Sequence, residues 1–578
     1  MDWLSSKLRP GLLEHPLEAF YTASARIAQS YILYSPITQS LIRSLAPYKR
    51  TMSPHADVTS SVSHSPAPVG QDAFSGFLTE NIEESHFAAF ENRSHLRYTP
   101  EEELHDMICV GFGPASLAIG IALHDALDGT DPSLEEIPGL QGRPPKVAFL
   151  EKQSHFAWHA GMLLPGAKMQ ITFMKDMATM RNPRSEFTFI NYLHQKGRLV
   201  EFANLNTFLP ARVEYEDYMG WCASWFEEVV SYDQEVIKVT PEKSANGEIS
   251  YFTVVSRNNQ TGRTESRRTK HVVIAAGGQP NLPAPFPSNH PKIIHSSKFQ
   301  YTSKQLFPDH DAPYKIAVVG NGQSAAEIFD YLHSNYPNSR TRLLIKGGAL
   351  RPSDDSPFVN EIFNPSRIAT TFAQPPTLRA ATLTLDKGTN YGVVRLPLLE
   401  HIYETLYLQR ISHGNTSAAE ANWPHAILPY RCVTSIADTP AGGVRLEILD
   451  RSPLYLSETA GATEKTEMMD FDAVFVATGY QRDLHETLLK DARHLMPGGD
   501  LKDARWSVSR EYKVLFEDRK VSDDAGVWLQ GCNERTHGLS DTLLSVLATR
   551  GGEVVRSVFE KPGKWSGGDM LGGYEARQ

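Results

Sequence analysis

Two stretches of this 578-residue sequence share one pattern: Met107-Ile-Cys-Val-Gly-Phe-Gly-Pro-Ala-Ser116 and Lys315-Ile-Ala-Val-Val-Gly-Asn-Gly-Gln-Ser-Ala325. In each, a short apolar run leads into two glycines and then into small residues. This order predicts a buried strand, a tight turn and the start of a helix. Glycines in such a turn let backbone N–H groups approach a pyrophosphate, which the partial positive charge of the helix N-terminus also attracts. Each stretch predicts a dinucleotide site, and two sites predict electron transfer between two nucleotides.

The residue that ends the next strand distinguishes the two predicted sites. The apolar strand 146–152 after the first turn carries Glu151 near its end, where an acidic side chain can accept a hydrogen bond from a ribose hydroxyl. The corresponding strand after the second turn ends at Lys346, and a base there favours a ribose 2'-phosphate. We therefore expect FAD at the Gly111 turn and NADPH at the Gly320 turn.

Further strands predict how the two units are connected. Apolar runs at 271–277 and 471–479 each end in glycine and bracket the second unit. The fold class predicted is α/β, with two Rossmann-like doubly wound domains, the NADPH domain inserted into a discontinuous FAD domain, and a small substrate-binding region. The predicted segments are a largely flexible extension (1–103), the leading segment of the FAD domain (104–285), the NADPH domain (286–465) with a substrate insert around 350–430, the closing segment of the FAD domain (466–560) and a flexible tail (561–578).

Composition excludes several other classes of function. The net charge is -10 and the basic residues are dispersed, so we expect no nucleic-acid partner. The four cysteines are scattered without a CxxC pair, which indicates neither a disulfide framework nor a metal site and favours a reducing, cytoplasmic location. No apolar run is long enough to predict a transmembrane segment. Residues 19–50 lack acidic side chains, so a membrane-surface or targeting helix stays open there.

Longer motifs join these turns into one family pattern. The chain resembles the flavin-dependent N-hydroxylating monooxygenases, and most closely the fungal L-ornithine N5-monooxygenases of siderophore biosynthesis. The resemblance covers about 104–558. It rests on Gly111-Phe-Gly-Pro-Ala-Ser116, Met169-Gln-Ile-Thr-Phe-Met-Lys-Asp176, Arg351-Pro-Ser-Asp-Asp-Ser-Pro-Phe-Val-Asn-Glu-Ile-Phe-Asn-Pro365, Ala477-Thr-Gly-Tyr480 and Thr536-His-Gly-Leu-Ser-Asp-Thr-Leu-Leu-Ser545.

The resemblance implies a complete reaction. NADPH reduces FAD, O2 adds to the reduced ring, and the C4a-hydroperoxyflavin hydroxylates the N5 amine of L-ornithine, the first step of hydroxamate siderophore biosynthesis. Family members commonly form homo-tetramers. L-Lysine N6-hydroxylation stays open as an alternative, because a pocket discriminates one methylene by only about 1 to 3 kcal/mol. A catalytically silent nucleotide-binding protein is a second alternative.

The resemblance also assigns roles to individual residues. Lys175, Asn360, Asn390 and Ser545 would bind the substrate, although Ser540 competes with Ser545. Gln170, Arg212 and Asn390 would act at the reacting centre. Lys346 stands where many relatives have arginine, and because lysine lacks the bidentate fork we expect a weaker preference for NADPH over NADH. The cofactor contacts implied are Gly111, Gly113, Ser116, Glu151, Trp158, His159, Met169 and Gln170 for FAD, Ser297, Lys298, Gly322, Gln323, Ser324, Lys346 and Asn390 for NADPH, with Leu543 as a further contact.

Overall fold

The computed structural model of the chain describes residues 93–560 except 135, 415, 417–421, 457–462, 500 and 502–503. The predictions for residues 19–50, for most of the extension 1–103 and for the tail 561–578 lie outside these described residues. No helix in the described part is both long and apolar enough to cross a membrane.

Packing begins earlier than the predicted start of the first domain at residue 104. Leu96 is fully buried in the largest hydrophobic core. The backbone N–H of Ser94 donates to the carbonyl of Trp225 at 2.9 Å. The side chain of Leu96 and the backbone hydrogen bond of Ser94 thus attach part of the predicted extension to the core. The first domain therefore begins before residue 104, which the local sequence pattern did not indicate.

Seventeen strands are present in the described residues. They are β1 (His105–Val110), β2 (Val147–Leu150), β3 (Val230–Ser231), β4 (Gln234–Lys243), β5 (Ile249–Asn258), β6 (Thr264–Ile274), β7 (Gln279–Pro280), β8 (Ile293–His295), β9 (Lys315–Val319), β10 (Arg340–Leu344), β11 (His425–Leu428), β12 (Arg431–Asp438), β13 (Val444–Asp450), β14 (Lys465–Phe471), β15 (Ala473–Val476), β16 (Tyr480–Gln481) and β17 (Gly526–Leu529).

The same part of the chain contains fourteen α-helices. They are α1 (Pro114–Asp128), α2 (Phe189–Gln195), α3 (Leu199–Asn204), α4 (Arg212–Ser224), α5 (Phe299–Leu306), α6 (Gln323–Asn335), α7 (Pro357–Asn360), α8 (Ser366–Ala373), α9 (Pro376–Asn390), α10 (Leu396–His413), α11 (Ser452–Leu456), α12 (Leu484–Leu488), α13 (Glu534–His537) and α14 (Leu547–Phe559). Helices α7 to α10 fall within the insert predicted around 350–430.

The larger sheet has the strand order β3-β2-β1-β6-β5-β4, and β17 also pairs with β6. Strands β3, β2, β1, β6 and β17 run parallel, whereas β4 and β5 extend the sheet antiparallel. Successive side chains of a strand point to opposite faces, so Met107 and Cys109 of β1 enter one core and Ile108 and Val110 enter another. Burial on both faces explains the continuous apolar run of this strand.

The smaller sheet is fully parallel, with the order β11-β10-β9-β15-β8. Its strands lie in sequence between β6 and β17 of the larger sheet, so the predicted insertion of one doubly wound unit into the other is confirmed. Strand β15 corrects one detail: residues 473–476, predicted to belong to the first domain, pair with β8 and β9. The chain therefore returns to the larger sheet after residue 476 and not at 466.

The first glycine of each turn allows an approach that a side chain would block. Gly111 has φ +92°, and a Cβ there would lie 2.7 Å from the carbonyl oxygen of Ala275, just after β6. Gly320 has φ +142°, and its Cβ would overlap the carbonyl oxygen of Ala477, just after β15. Both turns thus lie against the carboxyl end of a neighbouring parallel strand, the edge where open α/β sheets bind ligands.

Candidate active site

A cavity of about 330 Å³ is bounded by parts of the chain that are far apart in sequence. Residues 158–171 and Arg212 come from the part of the chain before the smaller sheet, whereas Gln323 and Ser324 begin α6. Residues 353–363 and 389–395 belong to the helical insert, and residues 542–544 precede α14. The cavity therefore lies where both nucleotide-binding units and the insert meet.

Ten residues singled out from the sequence line this cavity. They are Trp158, His159, Met169, Gln170, Arg212, Gln323, Ser324, Asn360, Asn390 and Leu543. These residues span 385 positions of the sequence. The fold therefore brings together side chains that no local motif connects.

The other predicted residues do not line this cavity. Ser116 is fully buried within α1, and its hydroxyl is directed into the protein interior. Lys298 and Lys346 are exposed, and Ser297 is half-buried in the 3-10 turn before α5. Gly111, Gly113, Glu151 and Gly322 belong to the two turns, and Lys175 and Ser545 lie on two further turns described below.

The first glycine turn has the features of an anion-binding helix start. Gly113 precedes the first residue of α1, and a Cβ built on Gly113 would meet no atom within 4 Å. Glu151, at the end of β2, accepts the backbone N–H of Phe112 at 2.7 Å. Open space at the helix N-terminus fits a pyrophosphate. The hydrogen bond from Phe112 to the Glu151 carboxylate holds the turn in place, and we expect the ribose near that carboxylate.

The second turn has the same construction. Gly322 precedes α6, and its extended backbone leads directly into Gln323 and Ser324, which line the cavity. Lys346 follows β10 at the same edge of the smaller sheet and is exposed. An exposed ammonium at this edge fits a 2'-phosphate.

The segment 539–546, two consecutive 3-10 turns, connects the four predicted substrate residues. Its first turn packs against residues 361–363, next to Asn360, and against α9, which ends in Asn390. Its second turn, Leu544–Val546, contains Ser545 and packs against the turn Phe173–Lys175. The segment 539–546 thus packs against all three elements that carry or adjoin Lys175, Asn360 and Asn390.

Lys175 and Ser545 both carry polar groups that the protein leaves available. The Ser545 hydroxyl is buried and has no hydrogen-bond partner among the described residues. Partial burial lowers the pKa of the Lys175 ammonium. The next residue, Asp176, is buried and accepts the backbone N–H groups of Ala178, Thr179 and Phe189, so the backbone that carries Lys175 is fixed.

Sequence reasoning missed a polar network in the cavity wall. Arg212 donates to both carboxylate oxygens of Glu327 at 3.0 and 2.7 Å. Gln323 donates to Glu327 at 2.9 Å and accepts the backbone N–H of Arg395 at 2.9 Å. Arg212 and Glu327 are 115 residues apart, and neither stands in a motif with the other, so only the assembled fold reveals the pair.

These features define a class of protein: an oxidoreductase with two doubly wound dinucleotide-binding units that share one cavity with an inserted helical region. The particular family follows from comparison with known proteins. A family model described as L-lysine 6-monooxygenase/L-ornithine 5-monooxygenase matches residues 103–482. The chain belongs to this family, and the resemblance predicted from its sequence is confirmed.

Individual relatives agree with this assignment. An L-ornithine N(5)-monooxygenase of Cochliobolus heterostrophus is 76% identical over 529 residues, which cover 91% of this chain and 100% of the relative. The structure of an ornithine hydroxylase from Pseudomonas aeruginosa matches with a TM-score of 0.68 and 34% identity, over 79% of this chain and 99% of that one. An ornithine N-hydroxylase from Kutzneria sp. 744 with reduced FAD, NADP+ and L-ornithine matches with a TM-score of 0.68 and 31% identity, over the same shares.

The unpartnered hydroxyl of Ser545 predicts a stability gain on its removal. We expect Ser545→Ala to stabilise the ligand-free protein by about 1 kcal/mol, because a buried polar group without a partner costs free energy. Ser339→Ala is the matched control, since that hydroxyl is equally buried but donates to the carbonyl of Tyr336 at 2.7 Å. The control should destabilise the protein. Urea denaturation measures both, and a lower midpoint for Ser545→Ala would show that its hydroxyl is already bonded.

Proposed function

We propose that the protein hydroxylates the side-chain N5 amine of L-ornithine with FAD, NADPH and O2, the first step of hydroxamate siderophore biosynthesis. The observation that carries this proposal is the shared cavity, which is lined by residues 158–171, by the start of α6 and by Asn360 and Asn390 of the insert. The segment 539–546 packs beside Asn360 and Asn390 and also against the turn that carries Lys175. The 76% identity to an L-ornithine N(5)-monooxygenase supports ornithine as the substrate.

The two cofactors have separate places in this proposal. FAD binds at the turn of Gly111 and Gly113 with its ribose near Glu151, and NADPH binds at the start of α6 with Lys346 near its 2'-phosphate. Bound FAD, once reduced, supplies the activated oxygen. The protein contributes position, because Met169, Gln170 and Arg212 line the same cavity as Gln323 and Ser324 at the start of α6.

The substrate is held at both ends. The Lys175 ammonium pairs with the α-carboxylate and the Ser545 hydroxyl donates to it, a charge-assisted arrangement that fixes one end of the zwitterion. Asn360 donates its amide N–H to the carbonyl of Asp355 at 2.8 Å, so its Oδ1 can accept from the substrate amine. Uncharged partners such as Asn360 and Asn390 leave the amine free to lose its proton, which it must do before it can act as a nucleophile.

Product analysis tests the proposed function directly. The purified protein, loaded with FAD, should oxidise NADPH and form N5-hydroxyornithine when ornithine is present. Assays with lysine and without an amino acid are the controls. Hydroxylated lysine as the main product would establish the lysine alternative, and cofactor binding without NADPH oxidation would establish the silent nucleotide-binding protein.

Lys175 gives a second prediction. Lys175→Ala should raise the ornithine KM by about ten- to a hundredfold, since a hydrogen bond to a charged group contributes about 1.5 to 3 kcal/mol, and should leave the rate of flavin reduction nearly unchanged. Because burial lowers the pKa of Lys175, its charge is lost as the pH rises through a value below that of a solvent-exposed lysine.

The pH profile separates charge from shape at this position. In the wild-type protein the ornithine KM should rise on the alkaline side as Lys175 deprotonates, whereas Lys175→Arg should keep its charge and lack that rise. Steady-state kinetics between neutral and alkaline pH measure both. An identical alkaline rise in the arginine variant would remove Lys175 from the binding of the carboxylate.

The proposal includes a homo-oligomer, a tetramer by family resemblance. Helix α10 supports it, because Tyr403, Tyr407 and Ile411 lie on one face and are 70%, 55% and 66% exposed. Exposed apolar stripes of this kind commonly mark protein interfaces. Light scattering of the wild-type protein should give a mass that is a multiple of the monomer mass, and Tyr407→Glu should lower the measured mass. A monomeric wild-type protein would contradict the proposal.

We also place the reaction in the cytoplasm. The four cysteines, Cys109, Cys222, Cys432 and Cys532, are all unpaired, and unpaired cysteines are typical of proteins from a reducing compartment.

A further inference from the structure

A buried ion pair connects the two nucleotide-binding units at the wall of the cavity. Arg212 is the first residue of α4, and Glu327 lies in the second turn of α6. Their side chains are only 12% and 7% exposed, and the guanidinium donates to both carboxylate oxygens. The cavity wall is thus bridged by a bidentate bond between an element of the larger-sheet unit and the helix of the second glycine turn.

The charges of this pair depend on each other. An arginine at a helix N-terminus faces the positive end of the helix dipole, which is an unfavourable place for a cation. Burial adds a desolvation cost that only a well-placed counter-charge and further hydrogen bonds offset. Glu327 supplies that counter-charge, and the carbonyl of Met162 accepts a third hydrogen bond from Arg212 at 2.8 Å.

The same carboxylate also fixes the start of α6. Gln323, the first residue of that helix, donates to Glu327 at 2.9 Å, and its amide oxygen accepts the backbone N–H of Arg395 at 2.9 Å. Arg395 in turn donates to the carbonyl of Met169 at 3.3 Å. Glu327 therefore connects two cavity-lining groups, the guanidinium of Arg212 and the amide of Gln323, although Glu327 itself does not line the cavity.

We propose that Glu327 is a positioning residue for the reaction: it holds Arg212 in the cavity wall and sets the distance between the start of α6 and the larger-sheet unit. This inference rests on the proposed function in one respect, since it takes α6 as the binding element of NADPH. In this arrangement, Glu327 sets the position of NADPH relative to the flavin site, and it acts through Arg212 and Gln323.

Glu327→Gln is the most selective test. The substitution keeps the size of the side chain and an oxygen that can accept from Gln323, but it removes the charge opposite Arg212. We expect flavin reduction by NADPH to slow about tenfold, since a misplacement of about 1 Å can cost about a hundredfold and this substitution should cause a smaller one. A larger share of the NADPH oxidised should appear as hydrogen peroxide instead of hydroxylated product, while the ornithine KM stays unchanged.

Glu553→Gln is the matched control. Glu553 is also 7% exposed, and its two carboxylate oxygens accept hydrogen bonds from two guanidinium nitrogens of Arg510 at 3.1 and 2.8 Å. Neither Glu553 nor Arg510 lines the cavity. Both variants lose the charge of a buried bidentate pair, so a general loss of stability affects both. Only Glu327→Gln should change reduction and product yield. Equal behaviour of the two variants would overturn the proposal.

A double-mutant cycle and a binding measurement complete the test. If Glu327 acts through Arg212, then Arg212→Gln combined with Glu327→Gln should reduce flavin no more slowly than Arg212→Gln alone, whereas additive effects would contradict the proposal. The dissociation constant of NADP+, measured by calorimetry without turnover, should rise in Glu327→Gln and not in Glu553→Gln. A wild-type protein that forms no hydroxyornithine would refute the proposed function. An unchanged dissociation constant of NADP+ in Glu327→Gln would refute this inference alone.

Discussion

The architecture depends on two places where the backbone approaches a neighbouring strand so closely that no side chain fits. Gly111 lies against the carbonyl of Ala275, and Gly320 lies against that of Ala477. Each contact brings a helix start to the carboxyl edge of a parallel sheet, where backbone N–H groups can bind a nucleotide. A non-glycine residue would meet both a steric overlap and a backbone strain of about 1 to 3 kcal/mol. The second of these helix starts contributes Gln323 and Ser324 to the lining of the shared cavity.

The remaining sections of the cavity wall come from segments that neither sheet requires. Helices α7 to α10 form the insert and supply Asn360 and Asn390, and the turns 539–546 bring that insert together with the turn that carries Lys175. In the proposed function the sheets thus place the cofactors, whereas loops and short helices shape the substrate end. This division agrees with a general pattern in which a rigid scaffold positions functional loops.

Local pattern was sufficient to predict the strand, turn and helix of each nucleotide unit, because glycines and apolar runs act within a few residues. It did not assign β15 correctly, since a buried apolar strand carries no information about which sheet it joins. It also missed Glu327, because the partner of this residue, Arg212, is distant in sequence and meets it only in the folded cavity wall. Family motifs identified ten residues that line the cavity although they are far apart in sequence, because a motif records which residues recur together in a fold.

The proposed function requires the cavity between the two units to bind ornithine by its carboxylate, with the amine directed toward the flavin. A crystal structure of the protein with FAD, NADP+ and L-ornithine tests it most directly. We expect the carboxylate within hydrogen-bond distance of Lys175 Nζ and Ser545 Oγ, and the amine between Asn360 and Asn390. Ornithine bound in the opposite orientation, or outside this cavity, would contradict it.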